Sequence, residues 1–537
     1  MKTPFPRFKG NLVLAVLMAF FALLFVNRVA TQNRSGLTEQ EKRGKQIYVK
    51  GESGASEITA MLGSADLVVP ATSFSCSNCH GMRGEGTREG GLQPPPINWE
   101  TLTRPHTSAL TRRERPAYNE TTLALAISAG LDSSKARLHP GMPQYKMTGE
   151  QMADLIAYLK KLGNEADTET GVTDETIKVG AALPLTGPLA QVGEDVKATL
   201  SASFAEINEQ GGIYGRRFEL VVEDSRGDAA QTLEATRRLI EQDNVFVLVG
   251  SFEPGDSSAI NQLIKSKEVP LVGPLTLSPR LQLPPNPYVF YLLPTFADQS
   301  RTLVDFASTR GKSKPLRLGV IYAGNDFNRD ALAGLKAQAK MYSMEIVSEQ
   351  AYDAGSFKAI EVVELLTVKK PNYIFFFGGA EDIKALGIEM ERAKLSVPLM
   401  SSVVMAGRGT FALPATVAAQ TFLAYPSSLP NQEEFAEFLA LLQKARVNLR
   451  SPAFQSVAFA AARIFFEAVK LSGRQLDRAT LINALEQLRE FKTGVIPPVT
   501  FGPNRRVGSV GSYIVGVDLS KQQYVPLTDR LMPKDKP

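Results

Sequence analysis

Both cysteines of the 537-residue chain and one of its three histidines fall in one stretch, Phe74-Ser75-Cys76-Ser77-Asn78-Cys79-His80-Gly81. Two thiols three positions apart with an imidazole directly after them are the residue types that covalent haem attachment needs. Each thiol forms a thioether with a vinyl group, and the histidine turns its ring to the iron. A redox dithiol asks for a βαβ context that the flanking residues lack. A zinc site asks for a second pair of ligands, and no cysteines remain to supply it. Iron bound in this way takes a sixth ligand, commonly a methionine sulfur. Leu138-His139-Pro140-Gly141-Met142-Pro143 offers one in a stiff loop, off any helical core stripe. His80 and Met142 are the expected axial pair. His106 and His139 are the alternatives for a bis-histidine site, and His139 otherwise reads as a loop residue or a propionate neighbour. Arg83, Arg88 and Trp99 are candidates to flank the cofactor edge. A six-coordinate iron has no open position, so the chemistry implied is one-electron transfer at a relatively high potential, without substrate turnover at the metal.

Elements must position these groups. Glu39 to Val49 reads as a helix upstream of the motif. Gln151 to Leu162 reads as an amphipathic helix downstream, with Met152, Leu155, Ile156 and Leu159 on one stripe. This region resembles a class I cytochrome c. The resemblance is carried by Gly44 and Tyr48, Cys76-x-x-Cys79-His80-Gly81, Gly84-x-Gly86, Pro94-Pro95-Pro96, Met142-Pro143 and Tyr158-Leu159, over roughly residues 36–163. It implies a mostly α-helical domain with one covalently attached haem c. Two stretches depart from a minimal cytochrome: the long segment between Gly51 and Phe74, and the basic segment from Arg104 to Arg115. The latter reads as a docking surface or a solvated loop.

A chain of this length exceeds one ordinary core and predicts two to four domains. With 44% hydrophobic and 21% charged residues it is globular. Its net charge of +5 comes from 60 basic residues interspersed with 55 acidic ones, without a long basic block, which argues against nucleic acid as a partner. Two cysteines exclude a disulfide framework. At the start, Lys2, Arg7 and Lys9 precede an apolar run over residues 12–26. It reads as an export signal or as an uncleaved anchor tethering the chain to the inner membrane, so that residues 1–35 stand apart and the remainder lies in the periplasm.

Residues 164–176 are polar and acidic and read as a linker. Beyond them, apolar strands alternate with amphipathic helices, the pattern of a parallel sheet covered on both faces. The rhythm runs through Ile177–Leu185, Gly193–Ile207, Arg217–Glu223, Thr232–Glu241 and Val245–Val249. It restarts after Asp298 with Leu316–Tyr322. Two lobes, about 177–298 and 299–430, followed by a returning segment 431–537, predict a ligand cleft between them. No catalytic constellation appears. Gly211-Gly212-Ile213-Tyr214-Gly215 lies between a helix and a strand, the wrong order for a dinucleotide loop, and reads as a turn.

This second region resembles an extracytoplasmic solute-binding protein of the branched-chain amino acid type, a two-lobed α/β periplasmic-binding type I fold. The matching residues are Ile177-Lys178-Val179-Gly180, Leu183-Pro184-Leu185-Thr186-Gly187, Ile207-Asn208-x-x-Gly211-Gly212-Ile213, Asp224-Ser225, Val249-Gly250 and Val269-Pro270-Leu271-Val272-x-Pro274. The resemblance covers about residues 176–530 and implies that the lobes close on a small solute. Amino-acid receptors hold the ligand carboxylate with hydroxyls and its ammonium with an acid from the second lobe. Here the loop after Gly250 has a proline near the expected serine, and Ser401-Ser402-Val403-Val404-Met405 lacks an acidic clamp. Phe252, Leu275, Leu277 and Phe327 suggest an apolar lining, with Ser251, Thr276 and Asp326 as polar contacts. Asp326 reads equally as a helix cap. An amine without a counter-charge is costly to desolvate, so a non-zwitterionic solute (an alcohol, an aromatic or a carboxylic acid) is favoured.

The expected function is a periplasmic electron carrier joined to a small-solute-binding module, serving oxidative metabolism or uptake. Its partners are a dehydrogenase or terminal acceptor and a small organic solute. The alternatives are a transport receptor that presents its solute to permease subunits, a small peroxidase-like haem enzyme, and a cleft kept only as a docking scaffold. Nothing in the residues requires an enzyme.

Overall fold

The computed structural model describes residues 37–534, apart from 55, 64–66, 87–93, 108–112, 165–166, 256, 277–278, 280–283, 312–314, 429–431 and 475. The apolar run at 12–26 lies outside the described residues. Among those described, no helix is long and apolar enough to cross a membrane. The chain divides between Thr170 and Gly171 into two compact units.

In the first unit, Thr38 opens the helix Glu39–Lys50 with a capping box: its hydroxyl accepts the Glu41 N–H while Glu41 accepts the Thr38 N–H. Gly51, at φ 68°, closes it. A second capping box, Thr148 with Gln151, opens the helix Gly149–Leu159. The two helices cross at Gly44, where an added Cβ would lie 2.0 Å from the Asp154 carbonyl oxygen. Tyr48 and Tyr158 pack beside the crossing with ring centroids 5.4 Å apart. Arg43 grips the Asp154 carboxylate through Nε and Nη2 at 2.7 and 2.9 Å. Shorter helices span Cys76–His80, Trp99–Leu102 and Glu120–Ala129.

One unanticipated element is a three-stranded antiparallel sheet. Thr59–Leu62 lies at its centre, between Leu67–Pro70 and Gln144–Lys146. The long stretch between Gly51 and Phe74 thus supplies a hairpin that pairs with the strand following Met142. Leu67 and Val68 on its outer strand are exposed, so the segment carries no alternating pattern that would announce a strand.

The 164–176 linker is shorter than its composition suggests. The buried carboxylate of Asp167 accepts from Lys45 Nζ at 3.1 Å and from the Tyr158 hydroxyl at 3.0 Å, within the first unit. Val172 is buried in the second unit, where it bridges to Ile177.

Among the described residues, the second unit holds two sheets. The first lobe has five parallel strands in the order Val289–Phe290, Leu271–Val272, Val247–Val249, Thr176–Leu183, Arg217–Asp224. The second lobe has seven, in the order Glu345–Tyr352, Arg317–Ala323, Tyr373–Phe377, Leu399–Ser402, Thr421–Tyr425, Tyr513–Asp518, Gln523–Pro526, with Tyr513–Asp518 antiparallel to the strand on either side of it. Lobe boundaries depart from even cuts. The helix Phe296–Arg310 packs wholly in the second lobe's core. The returning segment divides: the helix Pro452–Ser472 completes the first lobe, where Phe465 and Phe466 meet Phe204 and Phe218, and residues 513–526 finish the second lobe's sheet. At the crossover, Tyr291 N–H donates to the Arg506 carbonyl and Gly508 N–H to the Tyr291 carbonyl, both at 2.8 Å, so two connecting strands run side by side.

Candidate haem centre and solute cleft

The cysteine helix is one turn long, and neighbouring elements hold it at both ends. Before it, the Tyr145 hydroxyl donates to the Phe74 carbonyl at 2.6 Å. Within it, Ser77 Oγ donates to the Val49 carbonyl at 3.1 Å. After it, the Tyr48 hydroxyl donates to the Gly81 carbonyl at 2.6 Å. Burial pushes the Tyr48 phenol well above its ordinary range, so it remains a donor.

His80 is 6% exposed, and its Nδ1 lies 3.2 Å from the Pro95 carbonyl oxygen. A carbonyl only accepts, so Nδ1 carries the proton and Nε2 keeps its lone pair for a metal. Burial depresses the His80 pKa, with the Pro95 bond opposing, which favours the neutral ligating form. Gly86, at φ 80°, allows the return of the chain to Pro95, because a Cβ there would lie 2.2 Å from the Pro94 carbonyl oxygen. Neither Cys76 nor Cys79 is in a disulfide, and burial pushes the Cys76 thiol up to about 12, an apolar setting in which a thioether sulfur is at home. Among the described residues no group of three or more His, Cys, Asp or Glu could hold a metal ion. The donor set fits haem c.

Met142 is half-buried in a loop tied at both sides. Leu138 N–H donates to the Gly130 carbonyl at 2.8 Å, and Gln144–Lys146 joins the sheet through Thr59–Leu62. The Tyr145 bond to Phe74 carries this loop to the start of the cysteine helix. His106 and His139 are both exposed. Trp99 packs on the domain core under Lys160, whose Nζ sits 5.6 Å from the ring centroid. Arg83 lies near Gly163, a Cβ on which would be 2.9 Å from the Arg83 carbonyl oxygen, and Arg88 lies outside the described residues.

In the second unit, the candidate residues occupy loops at the carboxyl ends of parallel strands, where open α/β sheets place their ligands. The lobes meet there. A Cβ on Gly255 of the first lobe would lie 3.2 Å from the ring of Phe327 of the second, and Phe327 meets Phe296 edge-on at 6.1 Å. The Ser251–Gly255 loop and Phe327 are thus brought together. Ser251 turns inward, 4% exposed, with Oγ accepting the Ala182 N–H at 3.1 Å. Phe252 is half-buried and bridges in parallel to Leu275. Leu275 is 2% exposed and belongs to the lobe core, which corrects its expected place in the lining. Thr276 is half-buried, and Leu277 lies outside the described residues. Asp326 is exposed and pairs with Arg329 at 3.4 Å. The cap of its helix is Asn325, whose Oδ1 accepts the Asn328 N–H at 2.9 Å. Ser401 and Ser402 are buried with their hydroxyls committed to the Phe376 carbonyl and to Gln299.

Two groups escaped the sequence reading. Glu253 is 4% exposed and accepts from the Tyr291 hydroxyl at 3.1 Å and from Asn261 Nδ2 at 3.0 Å, so a buried carboxylate ties the cleft loop to the crossover strand. On the second lobe's rim, the Tyr352 hydroxyl donates to Asp382 Oδ2 at 2.8 Å, and Gly378 leaves room for it, since a Cβ there would lie 2.1 Å from that hydroxyl. The Gly378-Gly379 pair at the end of an apolar strand was the available signal.

Comparison with known proteins agrees with this layout. The family model for periplasmic binding protein matches residues 176–523, and that for cytochrome c matches residues 42–163. A Leu/Ile/Val-binding protein homolog 3 of Brucella melitensis is 24% identical over 328 residues, covering 59% of this chain and 85% of that protein. Among solved structures, a branched-chain amino acid ABC transporter protein of Thermus thermophilus with bound valine superposes at TM-score 0.54 and 18% identity, over 67% of this chain and 97% of its own. A solute-binding protein of R. palustris in complex with 4-hydroxybenzoate superposes at TM-score 0.54 and 19% identity, over 67% and 98%. The chain belongs to the periplasmic binding protein family, with a cytochrome c domain fused ahead of its binding module.

Proposed function

We propose that the protein is an extracytoplasmic electron carrier whose electron transfer is coupled to recognition of a small organic solute. One haem c is attached through Cys76 and Cys79, with His80 and Met142 as axial ligands. The observation that carries this reading is the buried His80 ring, held by Nδ1 at the Pro95 carbonyl with Nε2 left for iron. The cofactor takes up and returns one electron. The protein's part is to orient the imidazole, bury the Cys76 sulfur and hold the methionine loop in the sheet. A dehydrogenase and a terminal acceptor are the fitting redox partners. The apolar run at 12–26 serves as export signal or tether.

In the cleft, Phe252 and Phe327 offer flat apolar surface, while Ser251, Ser401 and Ser402 are turned to internal partners. That composition favours an aromatic or carboxylic solute over an amino acid. Asp382 already accepts from Tyr352, so an ammonium group recruiting it would have to share that carboxylate. The second reading, a receptor delivering its solute to permease subunits, is favoured by the relatives named as Leu/Ile/Val-binding proteins.

The test is redox titration of the haem-loaded chain with and without a panel of aromatic acids, alcohols and branched-chain amino acids, alongside calorimetric binding. The expected result is saturable binding of one solute class with a shift in the haem midpoint. Binding with an unmoved midpoint removes the coupling and leaves two independent modules. Permease-dependent uptake that survives loss of the haem would instead establish the receptor.

A further inference from the structure

His139 lies three residues before the proposed axial methionine, and the structure gives its ring a defined task. The His139 carbonyl accepts the Met142 N–H at 2.9 Å, closing a four-residue turn with Pro140 and Gly141 in the middle. Inside that turn, His139 Nδ1 accepts the Gly141 N–H at 3.1 Å. Asparagine and aspartate at the first position of such turns use their side-chain oxygen in the same way, bonding the backbone two residues on and fixing the turn. Proline presets one torsion of the turn, but the glycine beside Met142 is the loosest link in it. The ring bond removes that freedom. Outside the turn the loop is fixed already, at Leu138 by the Gly130 carbonyl and at Gln144–Lys146 by the sheet. Among the described residues, the hydrogen bonds seen within 139–142 are those of the turn itself.

We propose that His139 is a positioning residue for the sixth haem ligand: its imidazole, acting through the Gly141 N–H, locks the turn that presents the Met142 thioether. The inference rests on the reading of Met142 as that ligand. Because Nδ1 is engaged within the turn, the ring serves the loop and is not a rival axial ligand.

The experiment compares the haem-loaded native chain with His139→Ala, His139→Asn and Met142→Ala. The readouts are the long-wavelength absorption band of methionine-ligated ferric haem and the affinity for added imidazole, which competes for the sixth position. His139→Ala is expected to weaken the band and to raise imidazole affinity about five-fold, the scale of one net hydrogen bond. His139→Asn, which restores an acceptor two residues before Gly141, is expected to return both to native values. Native-like band and imidazole affinity in His139→Ala overturn the proposal, as does an Asn variant as impaired as Ala. If the native protein itself lacks the band and Met142→Ala changes nothing, the reading of Met142 fails first and this proposal falls with it. Reduced yield of haem-loaded protein does not enter, because both readouts are taken per haem.

Discussion

His80 shows how much one side chain's second nitrogen decides. With Nδ1 held by Pro95, the ring has one orientation and one free lone pair. Replacing both Cys76 and Cys79 with serine should abolish covalent haem, read as loss of haem stain on a denaturing gel, while leaving the second unit folded. Glu253 is the corresponding residue in the cleft. Tyr291→Phe removes a donor from a buried carboxylate and should cost about 1–3 kcal/mol of the binding module's stability, measured by urea unfolding. Asp224 makes a prediction about pH. Burial raises its pKa, but bonds from the Thr186 hydroxyl and the Arg226, Leu185 and Thr186 N–H groups outweigh that and hold it below the ordinary value. A carboxylate depressed in the folded state stabilises above its unfolded pKa of about 3.9 and loses that contribution as pH falls through the lower folded value. Asp224→Asn should therefore destabilise by about 1 kcal/mol at neutral pH. The gap from native should close as the pH drops below 4, tracked by thermal midpoints; a gap constant with pH would mean that the charge plays no part.

Elements carry the next layer. The crossing of Glu39–Lys50 with Gly149–Leu159 depends on Gly44, because the facing backbone leaves no volume for a methyl group. Gly44→Ala should cost about 1–3 kcal/mol by overpacking, visible as a lowered urea midpoint of the first unit. The added hairpin braces the methionine loop: Ala60 pairs with Tyr145 and Met61 with Gln144, two to three residues after Met142. In the second unit, Gly255 and Phe327 approach each other closely across the two lobes. Gly255→Leu, with a side chain where 3.2 Å separates even a Cβ from the ring, should hold the lobes apart. Small-angle scattering should then show a larger radius, and solute affinity should fall at least ten-fold.

At the scale of the whole molecule, the boundary between Thr170 and Gly171 separates two compact units, with one apolar cluster in the first and four in the second among the described residues. Calorimetry of the haem-loaded chain should resolve two transitions, with only the first shifted by the double cysteine substitution. A single cooperative transition would show that the units fold as one. The division also explains the docked ends of the linker: Asp167 completes the first unit and Val172 the second, so few residues remain between them.

Haem attachment could be read from the chain alone, because thioether chemistry needs only two thiols and an imidazole at fixed local spacing. The alternation of strands and helices was equally legible, since parallel sheets bury whole strands and leave continuous apolar runs such as Tyr373–Phe377. The hairpin over Thr59–Pro70 was not legible, because its outer strand is exposed and lacks alternation. The cleft was legible only as a set of loops. Whether Ser251 faces a ligand or Ala182, whether Leu275 lines a wall or fills a core, and whether Asp382 finds Tyr352 depend on contacts between segments far apart in sequence. Packing sets the direction of each of these side chains, and that direction is decided only when the lobes are built.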